Sequence, residues 1–550
     1  MRGATVLLAG LAVLAAGCAG TLHHAASDAP VVSQAAIESH LRVLAGDAME
    51  GRMTGTRGYD AAAAYVAGQF AQLGLAPAGT DGYLQRVPFA VAQIDVERSR
   101  MRLHRGGRAR TLQWKQDWIA GADVLREHTQ VKAGAVFVGY GVQAPELGHD
   151  DYAGLDVRGK IVVFLLGAPK TFPANPRAYY SSPAVKEATA AARGAVGAVT
   201  LRDAHGAQKY KWELVSNNAG RVPSMKWVAA DGKAADYFPE LRGTAVLSET
   251  AAAELFRGAR QSHAEVLAAN QAGAPLPGFA LPGEVEIDKR ATVSRIESPN
   301  VVGLLRGSDP ALAAEHVVYT AHLDHLGVGN PVNGDAIYNG AWDNAMGVAM
   351  MLETARALAA LPRKRSLLFI ATVAEERFLQ GSDYFAHYPT VPAAQLVANV
   401  NLDNPLLLSP LAEVVAYGGE HSTLGAAVDT AARAEGLRQA PDPLPDEVVF
   451  IRSDQFSFAR AGVPGVFLKP GFKSADPAID GGKRIEDHQR AHYHQPSDDL
   501  SRPVDWDAVV RFTRLNARVG QELANAAERP RWHPGNFYGE RFGRGRPATP

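Results

Sequence analysis

Cysteine is nearly absent: among 550 residues the chain has one, Cys18. A single thiol excludes an internal disulfide, an iron–sulfur cluster and a thiolate zinc site. Any metal must therefore be held by His, Asp and Glu. A surplus of either charge is also missing, since 56 Lys and Arg stand against 57 Asp and Glu for a formal charge of −1. A nucleic-acid partner is thereby excluded, because phosphate contacts need an excess of cations. The one basic stretch is the tail, where residues 529–550 carry five Arg against one Glu. There is no internal repeat, and no segment has the roughly 20 apolar residues that span a bilayer. Hydrophobic residues at 47% and charged residues at 21% are ordinary for a soluble chain, which excludes disorder or a fibre over most of the length. At about 150 residues per domain, the length fits two to four folding units, or one large α/β domain with an insertion.

The start of the chain sets its expected location. Met1-Arg2, an apolar run from Ala4 to Ala16 and the small residues Ala15-Ala16-Gly17 precede Cys18. The run is too short to cross a membrane and reads as a secretory h-region. The site resembles a bacterial lipobox, with Leu14 one place further upstream than usual. Residues 1–18 are then a lipoprotein signal peptide, and Cys18 is the lipidated first residue. The body is expected on the periplasmic side of the outer membrane or at the cell surface, touching the membrane only through that anchor. A plain signal peptide releasing a soluble periplasmic protein is the other reading.

Texture divides the remainder. Ile37, Leu41 and Leu44, then Tyr65, Val66, Phe70 and Leu73, recur at helical spacing, so residues 35–130 read as the amino-terminal part of the main domain. Residues 131–282 show short apolar runs, such as 161–166, between Gly, Pro, Asn and Asp, and read as an inserted β-rich domain. Over 283–528 apolar strands alternate with helices, which predicts an α/β fold with a mostly parallel twisted sheet flanked by helices. Predicted strands are 317–321, 366–374, 396–402 and 463–468, with helices over 344–361 and 504–527. The tail, 529–550, is expected to be disordered or to wrap the surface as a strap.

The chemistry sits where those strands stop. Ala321-His322-Leu323-Asp324 closes the first, Glu375-Glu376 the second and Asp403 the third. In an open parallel sheet, ligands collect beyond the carboxyl ends of the strands. Asp343 lies after Gly340 and before a predicted helix, and Tyr493-His494 belongs to a turn-forming loop. Alone, each has a bland explanation: a solvated strand end, a hydrogen-bonded imidazole, an N-cap. Together they are the inventory of a dinuclear metal site, which needs one bridging carboxylate and further His and carboxylate ligands on each side. Adjacent extended residues point in opposite directions, so Glu375 and Glu376 are expected to split their roles. Asp324, two residues after His322, is placed to accept the second imidazole N–H.

These motifs, 321–325 (AHLDH), 339–344 (NGAWDN), 374–376 (AEE), 401–403 (NLD) and 493–498 (YHQPSD), resemble those of the dizinc aminopeptidase family. That family also includes glutamate carboxypeptidase II and the catalytically dead transferrin receptor. The stretch 44–56 looks like the family's amino-terminal opening. Residues 139–145 and 151–156 look like the protease-associated domain inserted in many members. The resemblance implies that Asp343 bridges two zinc ions, with His322 and Asp403 completing one site and Glu376 and His494 the other. It further implies that Glu375 is the general base, that Asp324 acts behind His322, that Tyr493 offers a phenol to the oxyanion, and that the 343–344 peptide bond is cis. Manganese or cobalt can occupy such oxygen-rich sites as well. The activity implied is removal of amino-terminal residues from peptide substrates.

Three other functions share this inventory. A non-catalytic receptor-like protein is opposed by the intact ligand set. A carboxypeptidase or dipeptidase needs a cationic pocket, for which Arg452 and Lys469 are candidates, although surface exposure is the expected role of each. A mononuclear glutaminyl cyclase is opposed by His322 alongside the other ligands.

Overall fold

The computed structural model describes residues 29–543; the signal segment and Cys18 lie outside them. The strands His316–His322, Ser366–Thr372, Leu396–Asn401 and Gly465–Pro470 are the parallel centre of a large sheet, with His316–His322 between the second and third. Antiparallel strands close both sides: Phe279–Leu305 and Leu84–Ile94 on one, Glu413–Tyr417 on the other. Every residue of the first two central strands is buried, which is why they read as continuous apolar runs.

Alternation along these strands sorts side chains between two layers. Val317, Tyr319 and Ala321, with Leu367, Phe369 and Ala371, join the core beneath helices Met346–Ala359 and Trp506–Asn525. The Tyr319 and Phe369 rings stack with centroids 5.1 Å apart. Val318, Leu368 and Ile370 face the other way, onto Phe385 and Phe458 of helices Gln380–His387 and Gln455–Arg460. The helix expected over 344–361 starts later, at Met346, and is buried nearly all round instead of along one stripe, because the Gln34–Leu44 and Trp506–Asn525 helices pack onto it. Among the described residues no helix is long and apolar enough to cross a membrane.

The insertion is larger than its texture suggests. A second sheet uses strands Arg100–Arg105, Arg108–Leu112, His128–Phe137, Ile161–Leu165, Gly197–Leu201 and Thr244–Leu247. Phe279–Leu305 belongs to both bodies: residues 284–288 pair with Arg100–Arg105, and residues 291–301 pair with Leu84–Ile94 of the main sheet. The second sheet thus spans residues 100–290, against the expected 131–282. Its first two strands present no apolar run in the sequence, because Arg alternates with apolar residues there. Within this span, Ser224–Trp227 crosses back to add an edge strand to the main sheet.

The expectation of a disordered tail fails for residues 529–543. Trp532 bridges to Ser422, Tyr538 is fully buried, and the Tyr538 hydroxyl donates to Asn175 O at 3.1 Å. The Arg541 guanidinium lies 4.3 Å from the Tyr179 ring centroid. Aromatic side chains, not the net positive charge, decide the matter: the segment straps the main domain to the insertion.

Candidate active site

The first central strand ends at His322, and the backbone just beyond the strand aims its imidazole. Nδ1 lies 3.1 Å from the backbone oxygen of Asp324; a carbonyl only accepts, so Nδ1 carries the proton and Nε2 presents its lone pair. Nε2 faces Asp343 Oδ1 at 3.1 Å and Asp403 Oδ1 at 3.3 Å. The other oxygen of Asp343, Oδ2, lies 3.3 Å from His494 Nε2, which is 3.1 Å from Glu376 Oε2. The two oxygens of Asp343 therefore face two different His–carboxylate pairs. His322, Asp343 and Asp403 form one group able to hold a metal ion, and a second group able to do so gathers His325, Asp343 and Glu376.

The donor set fits divalent metal. His494 Nε2 is buried beside two carboxylates, yet makes no hydrogen bond of acceptable geometry, as expected of a nitrogen converging with them on a common point. Burial opposes charge on Asp343 and Glu376, but the surrounding imidazoles outweigh it and hold both well below the usual carboxylate range. Both stay ready to bind a cation. Glu375 behaves oppositely: burial, with Asp403 and Glu376 nearby, pushes its pKa well above the ordinary value against the pull of His322.

Two expectations about local geometry need correction. Glu375 and Glu376 are not extended. Ala374 adopts φ 55° and the pair lies in a 3-10 turn over Glu375–Arg377, so the turn, not strand alternation, separates their side chains. The Asp324 carboxylate is 3.9 Å from His322 Nδ1. It accepts instead from the backbone N–H groups of Glu375 at 3.0 Å and Glu376 at 3.3 Å, so it fixes the turn that carries the two glutamates. The bland alternative for Asp343, a helix cap, does not hold: it sits in a bend over Ala341–Ala345 at φ −114°, ψ 85°, and its peptide bond to Asn344 is cis, as the family resemblance implies.

Comparison with known proteins agrees with this geometry. Residues 300–520, which include every one of these ligands, match peptidase family M28. That segment is an M28 peptidase domain. A probable zinc metalloprotease of Pyricularia oryzae is 28% identical over 279 residues, covering 45% of this chain and 54% of the relative. Another from Pyrenophora tritici-repentis is 25% identical over 269 residues, covering 44% and 61%. The chain thus spans little more than half the length of these curated relatives. The aminopeptidase from Aneurinibacillus sp. strain AM-1 shares the fold, with a TM-score of 0.52 at 18% identity over 90% of this chain and 95% of that one.

Several residues that position the M28 centre carry no role in the sequence reading. His325 Nδ1 donates to Glu376 Oε1 at 2.7 Å, which leaves Oε2 facing His494. Asp498 accepts from Trp342 N at 3.0 Å and Asp343 N at 3.1 Å and so shapes the bend beneath Asp343. Burial pushes its pKa up to about 7. Arg52, fully buried, donates to the backbone oxygens of Leu323 at 2.9 Å, Asn339 at 2.7 Å and Gly340 at 2.9 Å, tying the His322 and Asp343 loops together. Gly340 has φ 56°, and a Cβ there would lie 2.1 Å from Asp343 O and 2.5 Å from the His325 ring, so no other residue fits. Position within the family-like motifs is the only signal the sequence offers for these residues.

A cavity opens from the M28 centre, with Asp343, Glu375 and Asp403 at its floor and Tyr493, Arg452 and Lys469 in its wall. The Tyr493 ring stacks on His494 at 3.8 Å. Lys209 and Tyr210 of the insertion also line it. The docking is ionic: Glu447, on the loop bordering the cavity, meets Lys209 at 2.5 Å and His205 at 2.8 Å.

Proposed function

We propose that this chain is an exported zinc aminopeptidase, in which His322 and Asp403 on one side and Glu376 and His494 on the other would each hold an ion, with Asp343 shared between them. The observation that carries this reading is the opposed pair of Asp343 oxygens, each directed at its own His–carboxylate pair. Zinc bound there would supply the Lewis acidity that makes water a competent nucleophile near neutral pH.

The remaining work belongs to the chain. Glu375, at the cavity floor, takes a proton from the attacking water on its carboxylate and returns it to the leaving amine. The Tyr493 phenol, in the cavity wall, can donate a hydrogen bond to the developing oxyanion. Asp324 and Asp498 hold the glutamate turn and the Asp343 bend rigid, so the donors need not reorganise during the reaction. The insertion, read as a protease-associated domain, walls the cavity with Lys209 and Tyr210 and favours a chain end over the middle of a polypeptide. Export rests on the signal segment and Cys18.

The test is hydrolysis of fluorogenic amino-acid amides and their amino-blocked counterparts, before and after chelation. The reading expects cleavage of the free-amine compounds alone, loss on chelation and recovery with zinc. Equal cleavage of blocked compounds would overturn the exopeptidase assignment, and activity that survives exhaustive chelation would overturn the metal.

A further inference from the structure

Lys469 is not the surface charge its sequence context suggests: it is half-buried and lines the cavity that opens from the metal centre, whereas Arg452 lines the same cavity from an exposed position, as its context predicts. Lys469 arrives there through strand alternation. In Gly465–Pro470, Val466 and Leu468 join the main core, whereas Phe467 and Lys469 turn to the cavity. The half-buried ammonium is 5.0 Å from the Phe467 ring centroid, and its one hydrogen bond, at 3.3 Å, is to the backbone oxygen of Asn404. An ammonium has three donors, and among the described residues no carboxylate lies within ion-pair distance of this one. Burial draws its pKa below the ordinary lysine value against the pull of Asp403 and Asp343 on the cavity floor.

The charge balance of the wall points the same way. Lys209, Arg452 and Lys469 stand in it against Glu447 alone. Glu447 is already engaged by Lys209 at 2.5 Å, His205 at 2.8 Å and Arg452 at 3.3 Å. The acids on the floor, Asp343, Asp403 and Glu375, are those the metal centre uses. Leu406, Leu444, Phe472 and Ile485 supply apolar lining, which strengthens any ion pair formed inside.

From this we infer that the cavity receives a substrate carboxylate, paired with Lys469 and supported by Arg452, so that the preferred substrates carry a negative charge near the scissile bond. The inference rests on the peptidase reading and names the substrate class of that same site. Two sources share this chemistry: an acidic side chain on the amino-terminal residue, and the α-carboxylate of a dipeptide.

The zinc-loaded full chain is compared on matched pairs that keep the free amine: glutamyl against glutaminyl amide for the side chain, and Ala-Ala against Ala-Ala-amide for the α-carboxylate. A kcat/KM ratio of at least about 10 in favour of the charged member of either pair supports the inference and identifies the source, the scale of a charge-assisted contact. Lys469→Glu should then invert that ratio and improve cleavage of lysyl amide, a gain that misfolding cannot imitate. Ratios near one in both pairs, with lysyl or leucyl amide the best substrate, would overturn the inference and leave the peptidase reading intact. If no peptide or amide is cleaved, the peptidase reading falls. Binding then decides: free L-glutamate should raise the Tm of the wild type and not of Lys469→Glu, and no shift in either overturns the carboxylate site too.

Discussion

In the inserted body, two buried lysines stand alone and quiet. Lys186 donates to the backbone oxygens of Leu165, at 2.7 Å, and Gly167, and Lys289 donates to those of Gly121, at 2.8 Å, and Thr244, at 3.3 Å. Among the described residues neither ammonium touches a carboxylate, and burial pushes their pKa values down to about 7 and about 8. In the peptidase body, buried charge is crowded. Asp324, Asp343, Glu376, Asp403 and Asp498 gather around His322, His325, His494 and Arg52, with Glu375 at the cavity. Where the chain satisfies a charge with its own carbonyls, the charge is architecture. Where it assembles more carboxylates than it can neutralise, the excess is directed at something the chain does not itself contain.

That contrast can be broken from either side. The largest effect is expected at Asp343, whose two oxygens serve both halves of the centre. Asp343→Asn should lose zinc from both and drop kcat/KM by on the order of 10⁴ or more, the scale on which catalytic units fail together; substantial turnover with normal zinc content would remove Asp343 as the bridge. Glu375→Gln comes next. It should keep its zinc, measured on the purified variant, while kcat falls by about 10² to 10⁴, the usual value of acid–base assistance. Near-normal kcat would leave Glu375 without its role.

The smallest effect belongs to the quiet lysine. Burial disfavours charged Lys186, so the cost is fully present below the folded pKa of about 7 and is relieved as pH rises from there toward the unfolded value of 10.5. Wild-type stability should therefore rise between pH 7 and 10, and Lys186→Met should flatten that rise by up to about 1.4 kcal/mol for each unit of pKa difference removed. Thermal melts at both ends of the range check it, and an unchanged slope would mean that folded Lys186 keeps its charge up to the ordinary lysine range.

The same physics decides which parts of the molecule are legible in the sequence. Strand ends are legible because fully buried parallel strands are continuous apolar runs, and an acid or imidazole interrupting one is conspicuous: His322, Glu376 and Asp403 all stand at such interruptions. Asp343 and His494 are legible only through the motifs around them, since bends and turns carry no periodicity. His325 and Asp498 lie inside those motifs without a visible role, because their work is to hydrogen-bond Glu376 and the backbone of Asp343, contacts between segments far apart in the chain. Arg52 is hidden for the same reason. The boundary of the insertion is not legible because Phe279–Leu305 passes through both sheets without a break, so no turn or change of composition marks the join. The tail is misleading through its charge, whereas Trp532 and Tyr538 dock it.

The most direct test of the central claim is a calorimetric zinc titration of the metal-free full chain. Two equivalents per chain are predicted for the wild type, falling to at most one in His494→Ala. Binding of one ion or none by the wild type, or two ions retained by His494→Ala, would contradict the bridged pair.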